Sequence, residues 1–200
     1  VYFSNTHRGK RSLQLDLKSD ASRELAHKLA ARADVVIEAF RPGVAKRLAM
    51  SYEDLAPLNP GLVYASLSAF GQSGPYVQKP AHDLATEAYA GVLSVNLGID
   101  GKPAAPSIPS GDMLAATLGL SAVLMALLRR RDTGQGDYID LAMMDSMIAC
   151  MPNSMGQVFA EREPPIVKDE RIWGGNAMYN IYETKDSKYI VLGASEMHFA

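Results

Sequence analysis

Asp112 stands in Ser110-Gly-Asp-Met113 at the head of a markedly apolar run, and His82-Asp83 stands 30 residues before it, directly behind a loop rich in turn formers. A carboxylate at a helix N-terminus is favoured by the helix dipole. It reads either as an N-cap or as an acid that attacks, or exchanges a proton with, a bound substrate. An imidazole changes charge near neutral pH, so His82 reads either as a surface residue beside a capping Asp83 or as a general acid/base. Glu196 follows a strand pattern and reads as a first-turn helix acid. Asn5-Thr-His-Arg-Gly-Lys-Arg11 is strongly basic; it is a solvated loop or a phosphate-binding one.

Other chemistries lack their motifs. There is no G-x-G-x-x-G or P-loop, since Gly71-Gln-Ser-Gly74 is too short for either, and this disfavours nicotinamide and ATP. No HExxH is present, His82 and His198 lie far apart, and no metal is expected. G-x-S-x-G is absent, which disfavours a serine hydrolase of the usual α/β type.

The elements that must position these residues alternate. Residues 11–17 (RSLQLDL) place Leu13, Leu15 and Leu17 on one face, a strand pattern. Ser19 offers an N-cap to a helix over 21–32, and 34–38 (DVVIE) reads as a buried strand. A short helix can start behind Pro42. Ser51 and Asp54 have capping-box spacing, and 62–66 is a further apolar strand. A helix is expected over 82–96, a long one over 112–131 ending in three arginines, a strand over 137–141, and a helix over 142–159 with Pro152 as a candidate break. Residues 178–183 and 188–192 flank a turn and predict a hairpin. Strand, helix, strand, helix, strand is the pattern of an α/β unit with a parallel sheet, whose ligands bind outside the carboxyl ends of the strands. Two loops leave such ends: 39–43 and 69–81.

Composition narrows the partners. Of 200 residues, 48% are hydrophobic and 21% charged, ordinary for a globular chain. The formal charge of −2 provides no global basic field, so neither nucleic acid nor an anionic membrane is expected. No uninterrupted apolar stretch approaches the roughly 20 residues of a membrane span. The single cysteine, Cys150, excludes a disulfide framework. A cytoplasmic location is expected. The chain opens Val-Tyr-Phe and closes on what reads as a helix's first turn, so it is expected to be part of a longer protein, with some of the functional site elsewhere. A composition shift over 161–176 marks the expected boundary between a large α/β domain (1–165, its N-terminal part missing) and the start of a smaller α+β domain (166–200).

Five segments in one order carry a resemblance: 5–18 (NTHRGKRSLQLDLK), 34–47 (DVVIEAFRPGVAKR), 64–83 (YASLSAFGQSGPYVQKPAHD), 110–112 (SGD) and 133–145 (TGQGDYIDLAMMD). They resemble the family III CoA-transferases, which include formyl-CoA transferase, carnitine CoA-transferase and α-methylacyl-CoA racemase. The resemblance implies a Rossmann-like parallel sheet, chains about twice this length and an interlocked homodimer. It implies coenzyme A or an acyl-CoA as substrate and a carboxylic acid as acceptor. The positions it assigns to CoA are Leu15, Asp16, Leu17, Lys18, Ala39, Phe40, Arg41, Arg47, Lys79, Pro80, Ala81 and His82. In the transferases the residue matching Asp112 attacks the thioester, giving a mixed anhydride and then an aspartyl-CoA thioester. In the racemase branch, residues matching His82 and Asp112 exchange the α-proton, with Asp83 orienting and Glu196 assisting.

The chain departs from each branch once. Formyl-CoA transferase has Tyr where this chain has His82, so His82-Asp83 and Ala194-Ser-Glu196 lean to the racemase. Met113-Leu-Ala-Ala-Thr117 lacks the racemase's glycines and leans to the transferases. CoA transfer through Asp112 is the leading expectation, racemisation the alternative. A non-catalytic CoA-binding domain comes third, opposed by the intact Asp112, Arg41 and Lys18.

Overall fold

A computed structural model describes residues 2–98, 100–167 and 174–194. In chain order the elements are α1 (Tyr2–Thr6), α2 (Asp20–Ala30), β1 (Val35–Glu38), α3 (Val44–Arg47), α4 (Tyr52–Leu55) with a 3₁₀ turn (Ala56–Leu58), β2 (Val63–Ser68), α5 (Asp83–Ala90), α6 (Val92–Val95), α7 (Ser110–Thr133), β3 (Asp137–Ala142), α8 (Met143–Ala149), α9 (Pro152–Glu161), β4 (Tyr179–Glu183) and β5 (Tyr189–Gly193). They fall into two compact units: Val1–Ala90 with Ser107–Met147, and Gly91–Pro106 with Ile148–Ala200.

The first unit is built on a parallel sheet of order β1-β2-β3, with Val36 opposite Tyr64 and Tyr64 opposite Tyr138. The central strand β2 is covered on both faces, which is why it is apolar at successive positions. Tyr64 packs on one side with Leu62, Ala30 and Leu55, and with Ala33, Val36, Met50 and Tyr52 around them. Val63 and Ala65 pack on the other side with Val123 and Ala126 of α7. Tyr64 keeps its hydroxyl satisfied by donating to the Met50 carbonyl at 2.8 Å. The expected α/β unit with a parallel sheet is therefore present.

Small residues let α7 lie close to the sheet. Its buried stripe is Gly111, Ala115, Gly119, Val123 and Ala126, and a Cβ on Gly119 would come within 2.9 Å of Leu141. The helix is long and apolar enough by length and composition alone to cross a membrane, contrary to the expectation that no stretch would be. One stripe of it packs on the sheet, while Leu120, Leu124, Met125 and Leu128 are exposed. It stops at Gly134, which takes φ 71° and whose N–H donates to the Arg130 carbonyl at 2.7 Å.

Several elements differ from expectation. Residues 11–16 form no strand: Leu13 is exposed, Leu15 and Leu17 are half-buried, and the only ladder partner of β1 among the described residues is β2. Alternation alone does not make a strand without a neighbour to accept its backbone hydrogen bonds. For the same reason β1 is less buried than expected, with Ile37 exposed. The helix expected over 82–96 is broken at Gly91, whose φ of 88° leaves the helical region. The helix expected over 142–159 is two helices, divided at the candidate break as expected, with Pro152 at the first position of the second. The predicted caps did form: Ser19 Oγ accepts from the Ser22 N–H at 3.3 Å, and Asp54 Oδ2 accepts from the Ser51 N–H at 3.0 Å and hydroxyl at 2.8 Å.

In the second unit, β4 and β5 form the expected antiparallel hairpin, with Ile181 opposite Val191. The Thr184 N–H donates to the Lys188 carbonyl at 2.9 Å, and Ser187 takes φ 58° in the turn.

Candidate active site at the carboxyl edge of the parallel sheet

All three strands of the first unit end at one edge, so the loops that follow β1 and β2 leave from the same side. The long helix runs back antiparallel to the strands. Its C-terminal Arg130 donates to the Gly61 carbonyl at 3.0 Å, ahead of β2, which puts its N-terminus at the carboxyl edge. Gly111 confirms the placement: a Cβ there would lie 3.3 Å from Met143 and 3.2 Å from Met147, just past the end of β3.

Asp112 does not cap this helix. The N-cap is Pro109, which has no side-chain bond to offer, and Asp112 lies two residues inside the helix start, in its first turn. The capping is supplied by α5. Asp83 Oδ1 accepts from the Asp112 N–H at 2.9 Å, and Glu87 Oε1 accepts from the Ser110 N–H at 3.2 Å and from the Ser110 hydroxyl. Thus two of the helix's open N–H groups are satisfied by carboxylates spaced four residues apart on one face of a neighbouring helix. An N-cap bond is worth about 1 kcal/mol, and the dipole favours negative charge at this end. Gly111 makes the approach feasible, since a Cβ there would sit 3.0 Å from Asp83 Oδ1. Asp83, read from the sequence as a cap for the helix it opens, instead caps α7.

With Asp83 engaged, the Asp112 carboxylate is left exposed and makes no hydrogen bond among the described residues. Its surroundings nonetheless displace water. Desolvation pushes its carboxyl above the ordinary value, repulsion from Asp83 adds to the rise, and the charge of His82 partly offsets it. His82, Asp83 and Asp112 therefore act on one another electrostatically. Glu196 lies outside the described residues.

The loop ahead of His82 is pinned at both ends. Asp140 of β3 accepts from the Gln72 N–H with both carboxylate oxygens, at 3.1 and 3.0 Å. Gly71 takes φ 82° and would place a Cβ 3.5 Å from the same carboxylate. Lys79 lies over the rings of Tyr76 and Tyr89, 4.1 and 4.8 Å from their centroids, and donates to the Tyr89 hydroxyl at 3.2 Å. Such a contact is worth about 0.5–1 kcal/mol at an exposed site and holds the ammonium in place. Phe70 packs edge-on against both tyrosines. Lys79 and Pro80 are exposed, and Ala81 is half-buried.

The remaining predicted positions are spread over two turns. Glu38 Oε2 accepts from the Phe40 N–H at 2.7 Å and sets the turn that carries Ala39, Phe40 and Arg41. Gly43, at φ 81°, opens the short helix that carries Arg47. Asp16 closes its own turn, accepting from the Lys18 N–H at 3.0 Å, beside the half-buried Leu15 and Leu17. Lys18, Arg41 and Arg47 are exposed and form no ion pair among the described residues, so their charges remain open to an anion. No bond among the described residues joins them to Asp112.

Reading the sequence missed Glu87, Ser110 and Asp140 as parts of the site. A signal for Glu87 existed: a carboxylate four residues after Asp83, in a segment otherwise dominated by Ala, Leu and Tyr. The partner on another helix was not legible.

Comparison with protein-family models matches residues 1–200 to CoA-transferase family III. The acetyl-CoA:oxalate CoA-transferase of Acetobacter aceti is 33% identical over 195 residues, covering 96% of this chain and 49% of the relative. The succinyl-CoA:mesaconate CoA-transferase of Haloarcula hispanica is 33% identical over 207 residues, covering 99% and 51%. A crystal structure of a CAIB/BAIF family protein from Brucella suis superposes with a TM-score of 0.82 at 30% identity, over 92% of this chain and 48% of that one. This chain spans about half the length of the curated relatives it matches. With a family match along its whole length and relatives a third identical, the chain belongs to CoA-transferase family III.

Proposed function

We propose that the protein carrying this chain moves CoA between carboxylic acids, with Asp112 as the nucleophile. The observation that carries the reading is the division of labour at the start of α7: Asp83 caps the helix, and the Asp112 carboxylate is left exposed with its basicity raised. A more basic carboxylate is a better nucleophile, and covalent catalysis splits one hard exchange into easier ones. The relatives' names, CoA-transferases acting on oxalate and mesaconate, support the same class.

The steps balance without a further reagent. The Asp112 carboxylate attacks the thioester carbonyl and expels CoA thiolate, leaving a mixed anhydride. The thiolate attacks the Asp112 carbonyl, giving an aspartyl-CoA thioester and releasing the donor acid. The acceptor carboxylate repeats the sequence in reverse, ending in a new acyl-CoA and free Asp112. Arg41, Arg47 and Lys18 pair with the phosphates of CoA. Lys79, Pro80, Ala81 and His82 line the pantetheine and thioester, and Leu15, Asp16, Leu17, Ala39 and Phe40 border the nucleotide. The same reading makes the three strands part of a larger Rossmann-like sheet and the protein an interlocked homodimer, which light scattering of the whole protein tests.

The whole protein, incubated with acyl-CoAs and trapped with hydroxylamine, should yield a hydroxamate at Asp112. Deuterium entering the α-carbon from deuterated water with no acyl transfer would instead establish 1,1-proton exchange between His82 and Asp112. Full activity of Asp112→Ala would sink both readings.

A further inference from the structure

Glu87 is the charged side chain that the chemistry above leaves unused. It is 1% exposed, among the most completely buried residues of the chain. One oxygen, Oε1, takes both the N–H and the hydroxyl of Ser110; the other, Oε2, is buried with no partner among the described residues. A buried carboxylate with an unsatisfied oxygen is costly, and hydrophobic residues would fill the space more cheaply. Its neighbours do not account for it: Thr86 spends its hydroxyl on the carbonyls of His82 and Asp83, closing the first turn of α5. What Glu87 does is hold Ser110, two residues before Asp112, while Asp83, one helical turn earlier, holds Asp112 itself.

We propose that Glu87 is a positioning residue: acting through Ser110, it fixes the first turn of α7 and so the direction in which the Asp112 carboxylate points. The two carboxylates of α5 form a clamp, one jaw on the nucleophile's own N–H and one a step upstream. Ser110 touches Glu87 by two groups, so loss of Glu87 frees the turn to shift while Asp83 still holds one point. The clamp stands on the geometry of α5 and α7; its catalytic meaning rests on Asp112 being the nucleophile.

The test uses the whole protein. In Glu87→Ala, acyl transfer from Asp112 should slow about 100-fold, the cost of a misplacement near 1 Å, with KM for the acyl-CoA unchanged. Glu87→Gln keeps an acceptor oxygen for Ser110 and should recover most of that rate. Hydrogen exchange at the Ser110 and Asp112 amides should quicken in Glu87→Ala and not in Glu87→Gln. An unchanged kcat in Glu87→Ala, or a Gln variant no better than Ala, overturns the proposal. If Glu87→Ala does not fold, Ser110→Ala decides: a lowered kcat at constant KM supports the clamp, and an unchanged kcat overturns it. If the unaltered protein forms no Asp112 hydroxamate, the CoA-transfer reading fails by itself. The amide exchange then still decides the clamp, and unchanged protection in Glu87→Ala overturns it.

Discussion

The two ends of α7 are held in different ways. At the C-terminal end two arginines and the capping glycine tie the helix down, both arginines to the sheet's amino edge. Arg130 donates to the Gly61 carbonyl and pairs with Asp34 at 2.8 Å, Arg129 pairs with Asp137 at 2.9 Å, and Gly134 caps the helix. Gly136 passes so close to the start of β2 that a Cβ would collide with the Leu62 carbonyl. At the N-terminal end the helix does not cap itself and Asp112 is left open, and among the described residues Oε2 of Glu87, the carboxylate that holds Ser110, is buried without a partner. One end is tied to the sheet, while among the described residues the other keeps a buried carboxylate oxygen without a partner.

The contrast should separate activity from stability. Asp112→Asn removes the proposed nucleophile and should lower transfer by at least about 10³-fold. The same change should raise the Tm at neutral pH. The folded chain binds the Asp112 proton more tightly than the unfolded chain, because the folded pKa is raised. Ionised Asp112 therefore opposes folding above that pKa, and the penalty vanishes as the pH falls below the unfolded value. The Tm advantage of Asn should close in acid; a Tm that falls at pH 7 would break the comparison.

Gly136→Ala should do the reverse, costing about 3 kcal/mol of stability through overpacking against backbone, with activity per folded molecule kept. Urea unfolding at constant m-value measures it. Arg130→Ala should cost about 1–2 kcal/mol, mostly from the lost bond to the Gly61 carbonyl, because the ion pair with the exposed Asp34 is screened. A loss of kcat larger than the loss of folded protein in either variant would show that the amino edge also serves the chemistry. The smallest effect is a shift in pH. Asp83→Asn keeps an acceptor for the Asp112 N–H but removes the like charge that raises the Asp112 carboxyl, so the acid limb of kcat/KM should move to lower pH. An unmoved limb would make Asp83 a cap and nothing more.

Local chemistry was legible wherever neighbours in sequence decide it. Ser19 capped the helix after it, Pro152 began a helix, and apolar runs marked β1 and β2. The order of motifs also pointed to Asp112 and His82, and to the family. What failed depended on partners distant in sequence. Leu13, Leu15 and Leu17 alternate as a strand would, yet with no ladder partner among the described residues they form none. Asp112 has the composition of an N-cap, but only the packing of α5 on α7 shows that Asp83 and Glu87 do that work. By itself the sequence determined which residues could form helices and strands and which side chains could do acyl chemistry, because those preferences are local. Which carboxylate is engaged by structure and which is left open was decided by the tertiary fold, because a hydrogen bond across 29 residues of chain exists only once two helices meet.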